Sequence, residues 1–295
     1  MSHLSARIRA RSFVVTTELT PPKGIDLGDL FAKADALRDL VDAVNLTESP
    51  RARMTIEPKS VARLLLDRGI EPIVQFTARD RNRIALQADI LGAAALGVGN
   101  VVFMTGDHPE NGDHPDAKPV FDLNAAQMLQ AARGLNEGRD LAGNALKGAP
   151  SLFLGATANP GATDFNAETA NTRAKIEAGA QFLQTQAVYD APSLRRFATA
   201  IGKDVALLVG VIPLKSSKMA RWLNDNVPGV RVPDALIAQM DAVAGDATGE
   251  LHTSTDITAR IIREVQPYCA GIHLMTMGWE HHIPAILRAS GLRES

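Results

Sequence analysis

Ala95-Leu96-Gly97 is followed by the apolar run Val101-Val102-Phe103-Met104 and then by the polar group Thr105-Gly106-Asp107. This order is typical of an apolar helix end, a turn, a buried strand and a polar strand end. Residues 36–47 and 64–77 show the same order. The copies are about thirty residues apart, a spacing suited to one βα unit. The repeat therefore predicts consecutive strands that are joined by helices.

Short apolar runs of this kind recur along the whole chain. Continuous apolar runs separated by helical patterns are typical of parallel strands that are covered on both faces. The sequence predicts one (β/α)8 TIM barrel domain over residues 1–295, a length that leaves room for insertions. Insertions are predicted at 108–120, at 138–150 and in an extra helix at 234–243, and the first is expected to cover a ligand. The eight predicted strands are 12–16, 44–46, 73–76, 101–104, 152–156, 182–186, 205–209 and 272–276.

The composition excludes several classes of protein. The 295 residues are 45% hydrophobic and 22% charged, and 31 basic residues balance 33 acidic ones. This balance makes nucleic acid an unexpected partner. No apolar run approaches the length of a membrane span and no secretory leader is recognisable, so a cytoplasmic enzyme is predicted. Cys269 has no partner for a disulfide, and Glu280-His281-His282 lacks metal-ligand spacing, so no metal is expected.

Acidic residues follow two of the predicted strands. Glu18 lies in Thr17-Glu18-Leu19-Thr20-Pro21, directly after the first strand, and Asp107 follows the fourth. Because side chains at the carboxyl ends of barrel strands converge on one mouth, both acids are candidates for catalysis. For Asp107 the alternative is a turn in which the carboxylate bonds its own backbone.

Amides at the end of the sixth strand are candidates for ligand binding. Gln184 and Gln186 are two residues apart, so they point to the same side of a strand, and each amide both donates and accepts. That combination suits the edge of a heterocycle, and Gln186 is the stronger candidate. The alternative is that one glutamine is satisfied inside the barrel while the other is exposed.

Four motifs together resemble the 5,10-methylenetetrahydrofolate reductase family. The resemblance runs from about residue 13 to residue 292, and its motifs are Thr17–Pro22, Thr105-Gly106-Asp107, Asn159-Pro160-Gly161 and 184–190. It implies a flavoprotein barrel of one-carbon metabolism and methionine biosynthesis. Such an enzyme reduces 5,10-methylenetetrahydrofolate to 5-methyltetrahydrofolate through bound FAD.

The resemblance also implies roles for individual residues. Glu18 matches the general acid that protonates the leaving nitrogen, and Asp107 matches the carboxylate that stabilises the iminium. The substrate-binding positions correspond to Gln184, Gln186, Met275 and Leu223. The positions that correspond to FAD contacts are Thr47, Gln75, Thr105, Gly106, Asp107, Phe121, Asp122, Asn159, Asn171 and Lys175.

This chain departs from the family at several of these positions. Gln75 stands where histidine is frequent, and Thr105 stands where arginine occurs, so fewer cations face the FAD pyrophosphate. Leu223 replaces an aromatic residue that stacks on folate or nicotinamide. The expected electron donor is NAD(P)H or a redox partner protein, and a homo-oligomer is expected. Alternatives are a flavin-free methylenetetrahydropterin reductase, a pterin-dependent methyltransferase on the same barrel and a noncatalytic subunit.

Overall fold

Eight parallel strands pair in sequence order, and β8 pairs with β1, so the sheet closes into a barrel. The computed structural model describes residues 1–293. The predicted (β/α)8 fold is confirmed. The strands are β1 (Val14–Leu19), β2 (Ala43–Leu46), β3 (Pro72–Thr77), β4 (Asn100–Met104), β5 (Phe153–Ala158), β6 (Phe182–Ala187), β7 (Ala206–Val211) and β8 (Gly271–Leu274).

Helices follow the strands and cover the outside of the barrel. Those in the first half are α1 (His3–Arg9), α2 (Gly28–Leu37), α3 (Pro58–Leu66), α4 (Arg83–Ala95), α5 (Ala125–Asn136) and α6 (Phe165–Ala178). Those in the second half are α7 (Ala191–Ile201), α8 (Ser217–Asn226), α9 (Asp234–Asp241), α10 (Ala247–Val265) and α11 (Ile283–Ser290). The predicted extra helix is α9, which ends two residues before the predicted end.

The amino-terminal end of the barrel is filled by side chains and closed by α1. Leu4 of α1 is completely buried in a cluster to which each of β1 to β7 contributes one side chain. Gly155 permits this packing, because a Cβ there would lie 2.3 Å from the Phe182 ring. The residues of the cluster are Leu4, Val14, Ala43, Ile73, Val102, Phe153, Phe182 and Leu208. This end of the barrel is therefore a packed core.

The inward positions become polar towards the carboxyl ends of the strands. Alternate residues of a strand point to the same side, so Glu18 faces inward with Val14 and Thr16. Strand β1 reaches Leu19 instead of ending at residue 16, so Glu18 lies within the strand. The inward residues that border the mouth are Glu18, Gln75, Met104, Thr157, Gln186 and Met275. The mouth is the end at which chemistry is expected in this fold.

Local capping sets the helix starts near the mouth. Helix α3 begins at Pro58, and the Glu57 side chain accepts from the backbone N–H groups of Lys59 and Ser60. Helix α5 begins after Asn124, whose side chain forms a reciprocal capping box with Gln127. Such caps satisfy backbone N–H groups that have no partner within the helix.

Candidate functional site

A cavity of about 320 Å³ opens at the mouth of the barrel. This volume lies at the lower end of the range for small-molecule pockets, about 300–1,000 Å³. The predicted residues Glu18, Gln75, Asn159, Lys175, Gln184, Gln186 and Met275 all line it. The other lining residues are Met104, Thr157, Ala158, Glu168, Thr185 and His273. We call this space the mouth cavity.

Glu18 lies beside a buried histidine. Its side chain is 25% exposed, and its Oε2 lies 3.7 Å from Nε2 of His273, which is 4% exposed. The other ring nitrogen, Nδ1 of His273, lies 3.0 Å from Oγ1 of Thr16. The histidine is thus fixed between a hydroxyl inside the barrel and the carboxylate at the mouth. His273 was not predicted as a site residue, although this residue lies on an inward position of the eighth strand.

The two glutamines occupy different environments. Gln184 is buried and exchanges two hydrogen bonds with Asn45, at 2.7 and 3.0 Å. Its Nε2 lies 3.5 Å from Nδ1 of His273. Gln186 is half-buried, and its Oε1 accepts from the N–H of Ala187 at 3.0 Å. Gln184 is therefore satisfied inside the barrel, whereas Gln186 keeps its amide NH₂ available at the mouth.

A buried cation lies on the opposite wall of the mouth cavity. Lys175 on α6 donates from Nζ to the carbonyl oxygen of Thr157 at 2.8 Å. Burial lowers the pKa of Lys175, and the charge of Glu168 opposes that shift. Glu168 also accepts from the N–H of Asn159 at 2.8 Å. Within residues 1–293, the buried Oδ1 of Asn159 has no hydrogen-bond partner.

Glu18 also lines a second mouth cavity of about 200 Å³, between β1, α2 and the loop after β8. Glu280 in this cavity accepts at Oε1 from Thr276 and from the N–H of Gly278, at 2.9 and 2.8 Å. Its Oε2 lies 3.6 Å from Nζ of Lys33. The hydrogen bond to Asp29, with the charge of Glu280, raises the pKa of Lys33. Glu18 therefore separates an amide-lined space from a more acidic one.

Asp107 lies at the same end of the barrel but does not line the mouth cavity. It is exposed, and its Oδ2 accepts from the backbone N–H of Arg51 at 2.9 Å. The carboxylate thus ties the loop after β4 to the loop after β2. Its predicted role towards an iminium stays a prediction.

The remaining predicted FAD contacts are scattered around the rim. Thr47 is buried and hydrogen-bonded to Thr20, at 3.1 Å between the hydroxyl oxygens, and Thr105 is exposed. Gly106 has φ +85°, and a Cβ there would lie 2.9 Å from Cβ of Thr77, so the turn requires glycine. Asn171 is exposed on α6 and donates from Nδ2 to Glu168.

The last two predicted FAD contacts lie after the long loop. Phe121 has φ +41°, and its ring stacks on His108 with centroids 6.2 Å apart. Asp122 accepts from Nε and Nη2 of Arg83, both at 2.9 Å. These hydrogen bonds lower the pKa of Asp122 to about 2. Asp122 therefore pairs with Arg83.

Leu223 is not exposed at the mouth. It is 1% exposed and belongs to the core between the helices and the barrel. Trp222, one position earlier on α8, is half-buried. Neighbouring helix positions are rotated by about 100°, so a shift of one residue places the side chain on a different face of the helix. The aromatic residue on this helix is Trp222, which was not predicted from the sequence.

A cluster of ion pairs beside the mouth was also not predicted from the sequence. Glu48, two residues after the end of β2, is buried and accepts from the N–H and hydroxyl groups of Thr77 and from Arg81. Arg79 binds Asp80 through two nitrogen atoms, at 2.8 and 2.7 Å. The sequence signal was the run of arginines at alternate positions after β3, from 79 to 83.

The hydrogen bonds of the cationic side chains bear on whether the mouth of the barrel can bind the diphosphate of FAD. A dinucleotide diphosphate is normally bound by cations and by backbone N–H groups. Arg79, Arg81 and Arg83 each pair with a carboxylate, and Lys175 is bonded to Thr157. Lys175, the one cation among the predicted FAD contacts, is thus already bonded within the protein. FAD stays a prediction of the resemblance.

The fold is a (β/α)8 barrel, and its mouth is lined by acidic and amide side chains. Together these features are typical of an enzyme. The family model described as Methylenetetrahydrofolate reductase matches residues 3–291. The chain belongs to this family of oxidoreductases.

Individual relatives agree with the family match. A 5,10-methylenetetrahydrofolate reductase of Pectobacterium carotovorum subsp. carotovorum is 25% identical over 238 residues, which are 79% of this chain and 74% of the relative. One from Salmonella typhimurium is 25% identical over 255 residues, 84% of this chain and 80% of the relative. A solved structure from Clostridium thermocellum, of an uncharacterized protein that binds two copies of 5-methyl-5,6,7,8-tetrahydrofolic acid, covers 99% of both chains with a TM-score of 0.65. Its sequence is 17% identical, so the likeness shows a shared fold.

Three further features concern the predictions from composition. Within residues 1–293, no helix has the length and apolar character to cross a bilayer. In that same part of the chain, no three His, Cys, Asp or Glu side chains are grouped as metal ligands. Cys269 is half-buried, and burial raises the pKa of its thiol to about 12. A thiol of this kind packs and does not react readily.

Proposed function

We propose that this protein interconverts 5,10-methylenetetrahydrofolate and 5-methyltetrahydrofolate, with Glu18 as the general acid. One observation carries the proposal: the Glu18 carboxyl group lies between two mouth cavities and is backed by His273. The family membership supplies the class of reaction. A barrel of the same fold, in the Clostridium thermocellum protein, binds 5-methyltetrahydrofolate, which supports a folate ligand here.

The chemistry requires an acid at this position. Protonation of N10 by Glu18 breaks the bond from N10 to the bridging methylene, and the electron pair of that bond stays on N10. The methylene is then an iminium on N5, and a hydride delivers two electrons and one hydrogen to its carbon. A positioned general acid contributes about 10²- to 10⁴-fold to such a step. In the reverse direction the Glu18 carboxylate accepts the proton.

The amides of the mouth cavity suit a pterin ring. A pterin edge carries N–H donors next to ring nitrogen and carbonyl acceptors. Gln186 and Gln75 supply both kinds of group. We assign these two residues to pterin binding. We assign Gln184 a structural role inside the barrel beneath these residues, because its amide is already hydrogen-bonded to Asn45.

His273 is proposed as the positioning residue for Glu18. We expect His273→Gln to lower kcat by roughly a hundredfold, since a displaced catalytic group costs about that much. The KM for folate should stay within about twofold, because only 4% of the His273 side chain is exposed in the mouth cavity. The measurements are kcat and KM from pH 5 to pH 9. An unchanged pH profile of kcat would contradict this role. Ser5→Ala, at a buried polar site in α1, is the control.

The source of the hydride is a separate question. The resemblance predicts FAD, reduced by NAD(P)H or by a partner protein. Both FAD and NAD(P)H carry a diphosphate, so the paired arginines do not favour one over the other as the hydride donor. We propose bound FAD, which the family resemblance implies, as that donor.

The experiment is an assay of the purified protein combined with its absorbance spectrum. The expected result is a yellow protein with oxidised flavin bound that forms 5-methyltetrahydrofolate. A colourless protein that oxidises NADH or NADPH in the presence of methylenetetrahydrofolate would overturn FAD as the donor and indicate direct hydride transfer. A protein that forms no 5-methyltetrahydrofolate with any donor, with or without added FAD, would overturn the proposed reaction.

A further inference from the structure

A cavity of about 550 Å³ lies at the amino-terminal end of the barrel, opposite the mouth. Its volume is within the range for small-molecule pockets, about 300–1,000 Å³. It borders the end of α1 and the starts of β1 and of β5 to β8. The start of α1 is held beside β3, where the Glu71 carboxylate accepts from the N–H groups of His3 and Leu4, at 2.9 and 2.8 Å. Helix α1 thus covers the centre of this end and leaves a recess beside it, which we call the base cavity.

The walls of the base cavity are apolar and packed. Phe13 and Val205 are half-buried, and Phe153 is 6% exposed. The Phe153 ring stacks on that of Phe182, with centroids 4.9 Å apart. Both rings belong to the buried cluster that fills this end of the barrel, so the cluster separates the base cavity from the mouth. The walls therefore offer a rigid apolar surface to a ring-shaped group.

The rim of the base cavity is positively charged. Its charged residues, all exposed, are Arg9, Arg11, Lys203 and Asp204. Three of these four are basic, whereas the whole chain has a formal net charge of −2. Within residues 1–293 none of the four takes part in an ion pair, whereas Arg7 of the same helix pairs with Asp42 at 3.2 Å. The rim can therefore neutralise the charge of an anionic ligand.

Arg11 occupies a backbone position at which glycine is usual. Its φ is 56°, in the left-handed region. Its N–H donates to the Ile8 carbonyl and the N–H of Ser12 donates to the Arg7 carbonyl, both at 3.0 Å, which together form a Schellman motif at the end of α1. Glycine is favoured there because a Cβ is strained at this φ. An arginine at this position therefore costs conformational free energy, while it supplies a cation to the rim.

We infer that the base cavity binds a small organic anion, in which an acidic group is attached to an apolar ring. The ring lies against Phe153 and Val205, and the acidic group pairs with the guanidinium of Arg11 and the ammonium of Lys203. Charge-assisted hydrogen bonds of this kind are about twice as strong as neutral ones. Because the buried cluster separates the two ends of the barrel, this ligand does not compete with a ligand at the mouth. The inference is independent of the proposed reaction.

The test is fluorescence titration with two probes that share one ring system. The first is the anion 8-anilinonaphthalene-1-sulfonate, and the second is the neutral N-phenyl-1-naphthylamine. Arg11→Gly is expected to weaken binding of the anion about tenfold and Lys203→Gln about threefold, and both should leave binding of the neutral probe within about twofold. Lys147→Gln is the matched control, because Lys147 is an exposed lysine in the loop before β5, at the same end of the barrel. It should change binding of either probe less than about twofold.

Two further measurements separate binding from folding and locate the probe. The melting temperature of Arg11→Gly should equal or exceed that of the wild type, because glycine adopts this φ without strain. Ala270→Leu places a larger side chain on the wall of the cavity and should weaken binding of both probes at least about fivefold.

Several results would overturn the inference. One is a wild type that does not bind the anion, and another is equal binding of the anion by Arg11→Gly and Lys147→Gln. Binding that is unchanged in Ala270→Leu, or displacement of the anion by 5-methyltetrahydrofolate, would place the probe elsewhere. Weaker binding by Arg11→Gly together with a lower melting temperature would assign Arg11 a structural role in place of a ligand contact.

Discussion

Replacing Glu18 by glutamine is expected to lower kcat for folate turnover by about 10²- to 10⁴-fold. The amide keeps the volume of the side chain, but it has no acid proton to give to N10. Because the Glu18 side chain is 25% exposed at the mouth, the fold should tolerate the change. Ligand binding should persist, since Gln75 and Gln186 are untouched. The measurements are single-turnover rates and the Kd for 5-methyltetrahydrofolate.

The control for this variant is Glu110→Gln. Glu110 lies in the loop after β4, at the same end of the barrel, and its side chain is 76% exposed. Both variants remove one negative charge near the mouth, so a general electrostatic effect would lower both rates. An effect specific to the acid lowers only the Glu18 variant. Near-normal turnover in Glu18→Gln would remove Glu18 from the mechanism.

The fold could be predicted because its signals are local. The run Val101–Met104 and its counterparts are apolar on both faces, and each is followed by a polar residue. That pattern can be recognised without knowing which strands pair. The strand ends were less certain, as in β1, where Thr17 and Glu18 continue the strand beyond its apolar part. Helix α1 was not predicted, because its seven residues include only two that are buried, Leu4 and Ser5.

The site was predictable where strand geometry alone places a side chain. Glu18, Gln184 and Gln186 lie on inward positions close to strand ends, and all three line the mouth cavity. His273 is on an equivalent position, but a single histidine in an apolar run gives no separate signal. Position along the strand was therefore more informative than residue type.

Loop and helix positions were harder, because they depend on contacts between distant segments. The carboxylate of Asp107 bonds the Arg51 backbone, 56 residues away, and no local pattern indicates this contact. Leu223 and Trp222 differ by one helix position, and alignment to a relative of low identity does not fix that register. The pairing of Asp122 with Arg83 joins segments 39 residues apart. These contacts decide which predicted ligand residues are free.

The largest effect on stability is expected for Glu48→Ala. Glu48 and Arg81 have side-chain exposures of 6% and 15%, and two hydrogen bonds of 2.9 and 2.7 Å join them. Burial opposes the charge of Arg81, but its hydrogen bond to Glu48 and the charges of Glu48 and Asp89 raise the pKa of Arg81. Removing one partner of a buried pair costs about 3–5 kcal/mol, because the other charge stays buried without compensation. The free energy of unfolding in urea should fall by that amount.

The Glu48 prediction has two controls, one for exposure and one for the pair itself. Asp35→Ala breaks ion pairs of the same type with Arg38 and Arg68 on the surface, where all three side chains are 38% exposed or more. It should cost about 1 kcal/mol or less. The double variant Glu48→Ala/Arg81→Met removes both buried charges, so it should be more stable than Glu48→Ala alone. A double variant less stable than the single one would show that the loss comes from packing or from the Thr77 N–H group. The ion pair would then not be what holds the loops after β2 and β3 together beside the mouth.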